Sequence, residues 1–419
     1  RVNRESLRGG RYVGPVESAS RIWPVVAIGT MCSAFPIFLT GALGVQLRDD
    51  IGLTATHVGL AMGSSFGVAA VLSAPMGRVA ERLGPRRGFR VGLTTSVVAM
   101  LAVAVLARNV WQFCLFLGFA GAGNALNQPS ANLMLTTHVD GERLGFALAA
   151  KQSGMPTAAL LGGIAVPAIA LTVGWQWAYV AGVVMAVGAM LGFPPDCASR
   201  SDRNTSANAA GGRRSARPDL GMALLVLYAM VGLLGSTSAG MMVGFITSGA
   251  EASGLGPGAA GLVLSLGSLV GVASRLIQGW QVDRWGVLPI QRLVWLYGLG
   301  GLGMLVLAID VPITYVLAPI PAFAFGWAWP GLFNLSVVRN NPSAPAAATG
   351  VSQVGVFIGA ALGPALGGLI IDNGSYRLLW LFGASTLLLG SMLATVLRRH
   401  IRRNRERNLS HRGQLGFRG

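Results

Sequence analysis

The stretch 77-GRVAERLG-84 recurs later in the chain as 279-GWQVDRWG-286. The two copies are 279 − 77 = 202 positions apart. Other residues repeat at an offset of 202 or 201, namely Gly59 with Gly261, Pro129 with Pro330, Gln152 with Gln353, Gly154 with Gly355, and Gly162 with Gly363. A register held over so much of the chain predicts two homologous halves in parallel. Transporters whose site lies between their halves have this arrangement.

Long apolar runs surround the repeated stretches. Charged residues are only 11% of the chain and hydrophobic residues 53%, whereas soluble proteins carry about 25% charge. A helix needs roughly 20 residues to cross about 30 Å of hydrocarbon. Runs of about this length lie near 22–45, 57–76, 89–107, 111–135, 144–172, 176–194, 220–247, 258–278, 289–309, 313–337, 347–371 and 377–398. We therefore predict an all-α membrane protein with 12 transmembrane helices in two pseudo-symmetric six-helix bundles. Glycine and proline are expected to interrupt the fourth, fifth, tenth and eleventh helices.

The arginines predict the orientation in the membrane. They concentrate in alternate connections between the apolar runs and in both tails, while the other connections hold most of the acidic residues. The positive-inside rule then puts both termini and the central linker in the cytoplasm. The predicted units are a cytoplasmic N-terminal tail 1–21, a six-helix bundle 22–195, a polar linker 196–217, a second bundle 218–398 and a basic tail 399–419. The use of arginine in place of lysine suggests a bacterial genome rich in GC, and hence the bacterial inner membrane.

The net charge of +17 raises the question of a nucleic-acid partner. Most of the arginines lie next to apolar runs, a placement that favours anionic membrane lipid and argues against nucleic acid. The tail after Arg398 remains open to both readings, with lipid preferred. No spacing of cysteine and histidine indicates a metal site, and no phosphate-binding or catalytic motif is present, so we expect no cofactor and no enzyme.

The repeated stretch resembles the best-known motif of the major facilitator superfamily, and the resemblance extends over nearly the whole chain. The family pattern is Gly-x-x-x-Asp-Arg-x-Gly-Arg-Arg/Lys between the second and third helices. Here Glu81 replaces the aspartate and Pro85 is inserted, while the second copy keeps Asp283 but lacks the double arginine. In the family this loop latches the cytoplasmic helix ends in the outward-facing state. The gating residues so implied are Gly77, Glu81, Arg82, Gly84, Arg86, Arg87, Gly279, Asp283, Arg284 and Gly286. The alternative is a charged loop that only fixes topology.

A second family motif is present as Gly359, Gly363, Pro364, Gly367 and Gly368. In the family it marks antiporters when it stands on the fifth helix. Here it falls on the eleventh, so the resemblance does not imply antiport, and close helix packing explains these glycines.

Lys151 is the only lysine of the chain and lies within an apolar run. A cation in hydrocarbon costs several kcal/mol unless it faces a polar cavity or a partner, so Lys151 is a candidate substrate-binding residue. Gln152 follows it, and Gln353 is the matched glutamine of the second half, which makes Ser352 the expected counterpart of Lys151. The alternative is a lysine whose amine snorkels to the cytoplasmic interface.

Other polar residues within the runs are further candidates for the site. Arg275 lines the cavity or else serves the latch by pairing with an acid such as Asp283. Asn124, Asn127 and Trp329 are candidate substrate contacts, as are Gln128, Asn132, Trp327 and Asn334, although each also suits interhelical hydrogen bonding or packing. Because the carboxylates fall in loops or at helix ends, we expect an anionic solute. Proton coupling stays open, because a buried lysine can titrate.

We therefore expect a secondary active transporter that moves a small solute, an organic or inorganic anion, by alternating access. Its coupling partner would be an ion such as the proton, or a counter-substrate. The alternative within the class is a proton-coupled exporter of drugs or metabolites. The alternative from another class is a membrane receptor or scaffold that kept the fold.

Overall fold

Proline begins many of the helices. In the computed structural model the first helical residue is often a proline, as at Pro85 and Pro289, where the missing N–H is no loss. Elsewhere a side chain caps the helix, and Thr54 Oγ1 accepts a hydrogen bond from the His57 N–H at 3.4 Å. The structure describes residues 15–139, 141–192, 218–285 and 288–416, and the regular elements within these ranges are helical.

The helices fall into two series along the chain. The first series is α1 Pro15–Ala42, α2 Gly44–Ile51, α3 Ala55–Leu83, α4 Pro85–Leu106, α5 Val110–His138, α6 Gly141–Gln152, α7 Gly154–Ala165, a π-helical turn Val166–Ala170, α8 Leu171–Val173 and α9 Trp175–Leu191. The second series is α10 Met222–Ala252, α11 Pro257–Trp285, α12 Pro289–Leu307, α13 Pro312–Leu317, α14 Pro319–Gly326, α15 Pro330–Arg339, α16 Pro345–Asn373 and α17 Tyr376–Gly416.

The described residues include 10 helical stretches that are long and apolar enough to cross a membrane. The pieces α6 to α8 together form one of these stretches, Ala147–Val173, and α13 to α15 form another, Pro312–Arg339. Two predicted runs fall outside this set. They correspond to α5, which carries several amide side chains, and to α9, an apolar helix of 17 residues.

The interruptions differ in part from those predicted. The fifth and tenth predicted helices are broken, at Ser153 and between Gly326 and Pro330. The fourth and eleventh, α5 and α16, instead continue through Pro129 and Pro364. In α16 glycines of two neighbouring helices make room for the proline. A Cβ on Gly240 would lie 2.7 Å from Pro364 Cδ, and one on Gly59 would meet the Pro364 carbonyl oxygen.

Helices continue into both predicted tails. The first helix begins at Pro15, inside the predicted tail 1–21, and the last continues to Gly416 through most of 399–419. Proline favours the first turn of a helix, which explains the early start. The predicted linker 196–217 lies outside the described residues, and so does Gly286.

The two series pack against each other across the bundle. Helix α3 lies against α16, and α7 lies against α11. The contact is close enough that a Cβ on Gly163 would meet the Gly261 carbonyl oxygen, and one on Gly368 would meet that of Ala55. We call the end of the bundle that contains Asp372 the Asp372 end, and the opposite end, with the turn at Gly84, the motif end.

Candidate functional site

Lys151 is buried between helices and bonded only to neutral groups. It lies in the last turn of α6, and 2% of its surface is exposed. Its Nζ donates to Asn132 Oδ1 at 2.7 Å and lies 3.5 Å from the Gln128 carbonyl oxygen. No carboxylate among the described residues is within salt-bridge distance of this amine. A snorkelling lysine would expose its amine, so this burial argues against that alternative.

A break in the helix follows Lys151 directly. Helix α6 ends at Gln152, and α7 begins at Gly154. Pro156 has no N–H, so it cannot donate to the Gln152 carbonyl four positions earlier. That carbonyl is therefore left for another donor. The Gln152 side chain is half-buried, and its amide makes no hydrogen bond to the described part of the chain, so it is available to a ligand.

Arg275 supplies the missing donor at this break. Its Nη1 donates to the Gln152 carbonyl oxygen at 2.5 Å, across the interface between the halves. Its Nε and Nη2 donate to the Trp327 carbonyl oxygen at 3.1 and 2.7 Å, in the break between α14 and α15. The guanidinium carbon also lies 5.1 Å from the centroid of the Trp327 ring. Arg275 thus joins the broken helices of the two halves and is 5% exposed.

The second half repeats the geometry of Lys151 with a neutral residue. Gln353 Nε2 donates to Asn334 Oδ1 at 2.6 Å. The two hydrogen-bonded pairs match at one offset, since 353 − 151 = 202 and 334 − 132 = 202. The counterpart of Lys151 is therefore Gln353 and not Ser352, whose hydroxyl donates to the Thr349 carbonyl oxygen at 3.1 Å.

The alignment of the two halves shifts by one residue at the break, which explains why Gln353 and not Ser352 is the counterpart of Lys151. A Cβ on Gly154 would lie 2.8 Å from the Ala27 carbonyl oxygen, and one on Gly355 would meet the carbonyl oxygen of Ala229. These glycines are 355 − 154 = 201 positions apart, although their partners are 229 − 27 = 202 apart. The first half therefore holds one extra residue between Lys151 and Gly154, where its helix is broken.

The remaining candidates occupy two places in the bundle. Asn124 Oδ1 accepts from Ser33 Oγ and from Gln128 Nε2, both at 3.4 Å, so it connects through Gln128 to the surroundings of Lys151. Asn127 Nδ2 donates to the Gly29 carbonyl oxygen at 3.4 Å. Within the described residues, Asn127 Oδ1 and Trp329 Nε1 are buried polar atoms without a hydrogen-bond partner. No described hydrogen bond joins Asn127 or Trp329 to Lys151.

The first copy of the repeated motif lies at the motif end, where α3 turns into α4. Glu81 and Arg82 are exposed, and neither makes a hydrogen bond or a salt bridge to a described residue. A Cβ on Gly77 would meet no atom within 4 Å, whereas Gly84 has a φ of +77° that favours glycine. In the second copy, Arg284 lies over the Trp280 ring, with its guanidinium carbon 5.6 Å from the centroid.

The remaining predicted gating residues that the structure describes also lie at the motif end. Arg86 is half-buried and Arg87 is exposed. Gly279 lies near α6, where an added Cβ would be 3.6 Å from Ala149 Cβ. The side chain of Asp283 is outside the described set, as is Gly286, so the predicted pairing of Arg275 with Asp283 stays a prediction.

The Asp372 end joins the two halves through charged groups. Asp372 accepts hydrogen bonds from the Ala55 and Thr56 N–H groups at 3.2 and 2.8 Å, at the start of α3. Arg48 Nη2 lies 3.4 Å from Glu251 Oε2, again across the halves. An acid at a helix N-terminus also gains from the helix dipole. The halves are thus connected by charged groups at this end, whereas at the other end Glu81 makes no hydrogen bond or salt bridge to a described residue.

Comparison with known proteins decides the family. A family model described as Major Facilitator Superfamily matches residues 26–340. The chain belongs to the major facilitator superfamily. This superfamily consists of multi-pass membrane transporters rather than enzymes, in agreement with the apolar helices of the structure.

Three curated relatives are all named multidrug resistance protein MdtG. The protein of Citrobacter koseri is 31% identical over 140 residues, which are 30% of this chain and 34% of the relative. That of Klebsiella pneumoniae is 30% identical over 140 residues, with the same shares, and that of Dickeya zeae is 29% identical over 120 residues, 29% of this chain and 28% of the relative. The chain therefore spans about a third of the length of the curated relatives it matches.

The family motif can now be located in the fold. The superfamily motif quoted from the sequence lies where α3 turns into α4, and its glycine with positive φ makes that turn. Sequence reasoning did not assign Asn132 to Lys151 or the Trp327 carbonyl to Arg275. The recurrence of an asparagine 19 positions before Lys151 and before Gln353 could have indicated the first of these contacts.

Proposed function

We propose that this protein is a secondary transporter that moves a small organic or inorganic anion by alternating access. One observation carries the proposal. Lys151 and Arg275 are the charged side chains that are buried among the described residues, and both are basic. Arg275 has three of its donors occupied by backbone carbonyls, whereas the Lys151 amine bonds the Asn132 side chain, and neither cation has a described acid beside it. An anion is the ligand that such an uncompensated cation attracts most strongly.

The neighbouring residues suit defined roles in binding. Lys151 would bind the anionic group of the solute, with its amine oriented by Asn132. The unbonded amide of Gln152 would donate to the same solute, and Gln353 would contribute from the second half. Asn127 and Trp329 offer a buried acceptor and a buried donor without partners. Arg275 would hold the broken helices in register, as a positioning residue rather than a substrate contact.

The membrane arrangement completes the proposal. Helices α5 and α9, with 29 and 17 residues, would add to the 10 shown stretches to give 12 spans. At a rise of 1.5 Å per residue, 17 residues extend about 26 Å, near the lower limit for a span. By the positive-inside rule, the arginines would put the motif end, both termini and the linker in the cytoplasm. The bacterial relatives support the inner membrane of a bacterium.

With that orientation, Asp372 and the pair of Arg48 with Glu251 would hold the outer end shut. Transport would require these outer contacts to open while the inner loop engages.

A drug exporter coupled to protons is the second candidate. The similarity to proteins named for multidrug resistance favours it. In that case the buried lysine would exchange a proton and the solute would be apolar or cationic. A receptor or scaffold would show neither transport nor a change in stability with any solute.

The experiment that tests the anion proposal is a thermal-unfolding screen of purified protein with small carboxylates, sulfate, phosphate and cationic drugs. Anions are expected to stabilise the wild type. Lys151→Gln should abolish this effect, because losing one hydrogen bond to a charged group weakens binding by about 10- to 100-fold. Gln is the matched replacement, since Gln353 shows that an amide can bond asparagine in this geometry. Stabilisation by cationic drugs alone would instead support the exporter.

A further inference from the structure

A groove lies on the second half at the motif end, away from Lys151. Its volume is about 290 Å³, and it opens between α11, α12 and α14. The lining side chains include Gln278, Arg292, Trp295, Leu296, Leu299 and Phe325.

The groove changes from polar to apolar along α12. Arg292 lies three positions after Pro289, at the start of the helix, and Leu299 lies ten positions after it. At 1.5 Å per residue, Leu299 is about 15 Å deeper than the helix start. Trp295 stands between them with 63% of its surface exposed, and Leu299 is 39% exposed. This gradient matches a molecule with a polar head and an apolar tail.

The guanidinium of Arg292 is fixed in position with donors to spare. Its Nη1 donates to Gln278 Oε1 at 2.8 Å and also to Gln281 Oε1. Its Nε and Nη2 donate to no residue that the structure describes, and no described carboxylate is within salt-bridge distance. The Trp285 ring lies beneath the group, with its centroid 5.9 Å from the guanidinium carbon. A held guanidinium with an open edge suits bidentate binding of a phosphate.

We propose that this groove binds a phospholipid with an anionic headgroup, separately from the transport site. The open edge of Arg292 contacts the phosphate, and Trp295 lies at the level of the headgroup, where interfacial tryptophans are enriched. The acyl chain follows Leu296, Leu299 and Phe325 toward the hydrocarbon. The location at the predicted cytoplasmic surface agrees, because anionic lipids favour basic groups there. Lipid binding in this groove would not depend on the identity of the transported solute.

Native mass spectrometry of the purified full chain with phosphatidylglycerol tests the proposal. Wild-type protein should retain at least one phosphatidylglycerol, with affinity about tenfold lower in Arg292→Gln, the effect of one lost charge-assisted hydrogen bond. Trp295→Ala provides a second variant, in case the first does not fold. Arg82→Gln is the matched control, because Arg82 is an exposed arginine at the same end and lies outside the groove.

Two comparison ligands separate the sources of binding. Phosphatidylcholine should be retained less than phosphatidylglycerol, and soluble glycerol phosphate should not compete at the same concentration. Equal retention of phosphatidylglycerol by the wild type and both groove variants would overturn the proposal. Competition by glycerol phosphate would also overturn it, because the groove would then be a site for free phosphate.

Discussion

The hydrogen bond from Lys151 to Asn132 in the first half and that from Gln353 to Asn334 in the second have the same geometry and different charge. Both acceptors are asparagine side chains, and both donors come from the helix that faces the other half. The packing of the two halves therefore does not require the lysine, because an amide fills the same place opposite. Under the proposed function, the charge at Lys151 would serve a ligand rather than the fold.

The same helices differ in continuity. The first half breaks at Ser153, whereas α16 continues without interruption. Pro156 stands where Phe357 stands in the second half, since 357 − 156 = 201. Phe357 keeps its N–H and can continue the helix, whereas Pro156 releases a carbonyl that Arg275 then binds. The charge that distinguishes the first half from the second thus lies next to the helix break that also distinguishes them.

Removing Arg275 should have the largest effect on stability. Arg275→Met leaves the Gln152 and Trp327 carbonyls without these donors, and each buried unpaired group costs about 1–3 kcal/mol. We expect the free energy of unfolding to fall by about 2–6 kcal/mol in total, measured by thermal or denaturant unfolding in detergent. Arg284→Met, an exposed arginine of the same helix, is the control and should change it little. Equal losses in both variants would refute the bridging role.

Restoring the hydrogen bond at the break between α6 and α7 should reduce the stability that Arg275→Met loses. Pro156→Ala supplies an N–H that can donate to the Gln152 carbonyl, as in the second half. In the double variant with Arg275→Met, the loss should be about 1 kcal/mol smaller than the sum of the two single losses. Additive losses in the double-mutant cycle would mean that the proline and the arginine do not share this carbonyl.

Weakening the contact between the halves at the Asp372 end should have a smaller effect. We expect it to increase the access of a labelling reagent to a buried cysteine at this end. Asp372→Asn removes a charge at the N-terminus of α3, worth about 0.3–1 kcal/mol. We expect a Ser248→Cys reporter, buried next to the contact between the halves, to react about two- to fivefold faster with an impermeant maleimide. The background lacks Cys32, Cys114 and Cys197.

Asp310→Asn is the control for that experiment. Asp310 is an acid of the second half that accepts from Tyr315 Oη at 2.7 Å within its own half. Its replacement should leave the labelling rate unchanged. An unchanged rate in Asp372→Asn as well would show that Asp372 does not hold the halves together.

Much of the fold follows from the sequence, because the repeat and the apolar runs have direct physical meaning. The duplicated motif predicts two halves, and hydrocarbon thickness predicts the spans. The effect of each proline was harder to predict, because it depends on the neighbouring helices. Pro364 sits between Gly59 and Gly240, which make room for its carbonyl and its ring, whereas Pro156 lies at a break bound by an arginine from the other half.

The sequence singles out Lys151 as a candidate residue but does not reveal which residue of the second half corresponds to it. Lys151 stands out as the only lysine in an apolar run. One extra residue at the break shifts the register by one, so sequence matching assigned Ser352 to it in place of Gln353. The pattern of side chains in a sequence does not show which backbone carbonyls will accept hydrogen bonds, such as that of Trp327 from Arg275.

Counterflow in proteoliposomes tests the central claim most directly. Vesicles loaded with an anion identified by the stability screen should take up the labelled anion when they contain wild-type protein. Lys151→Gln should reduce this uptake by about 10-fold or more, while its insertion and its unfolding temperature stay near those of the wild type. Undiminished uptake by Lys151→Gln would contradict the account, because the buried amine would then not bind the solute.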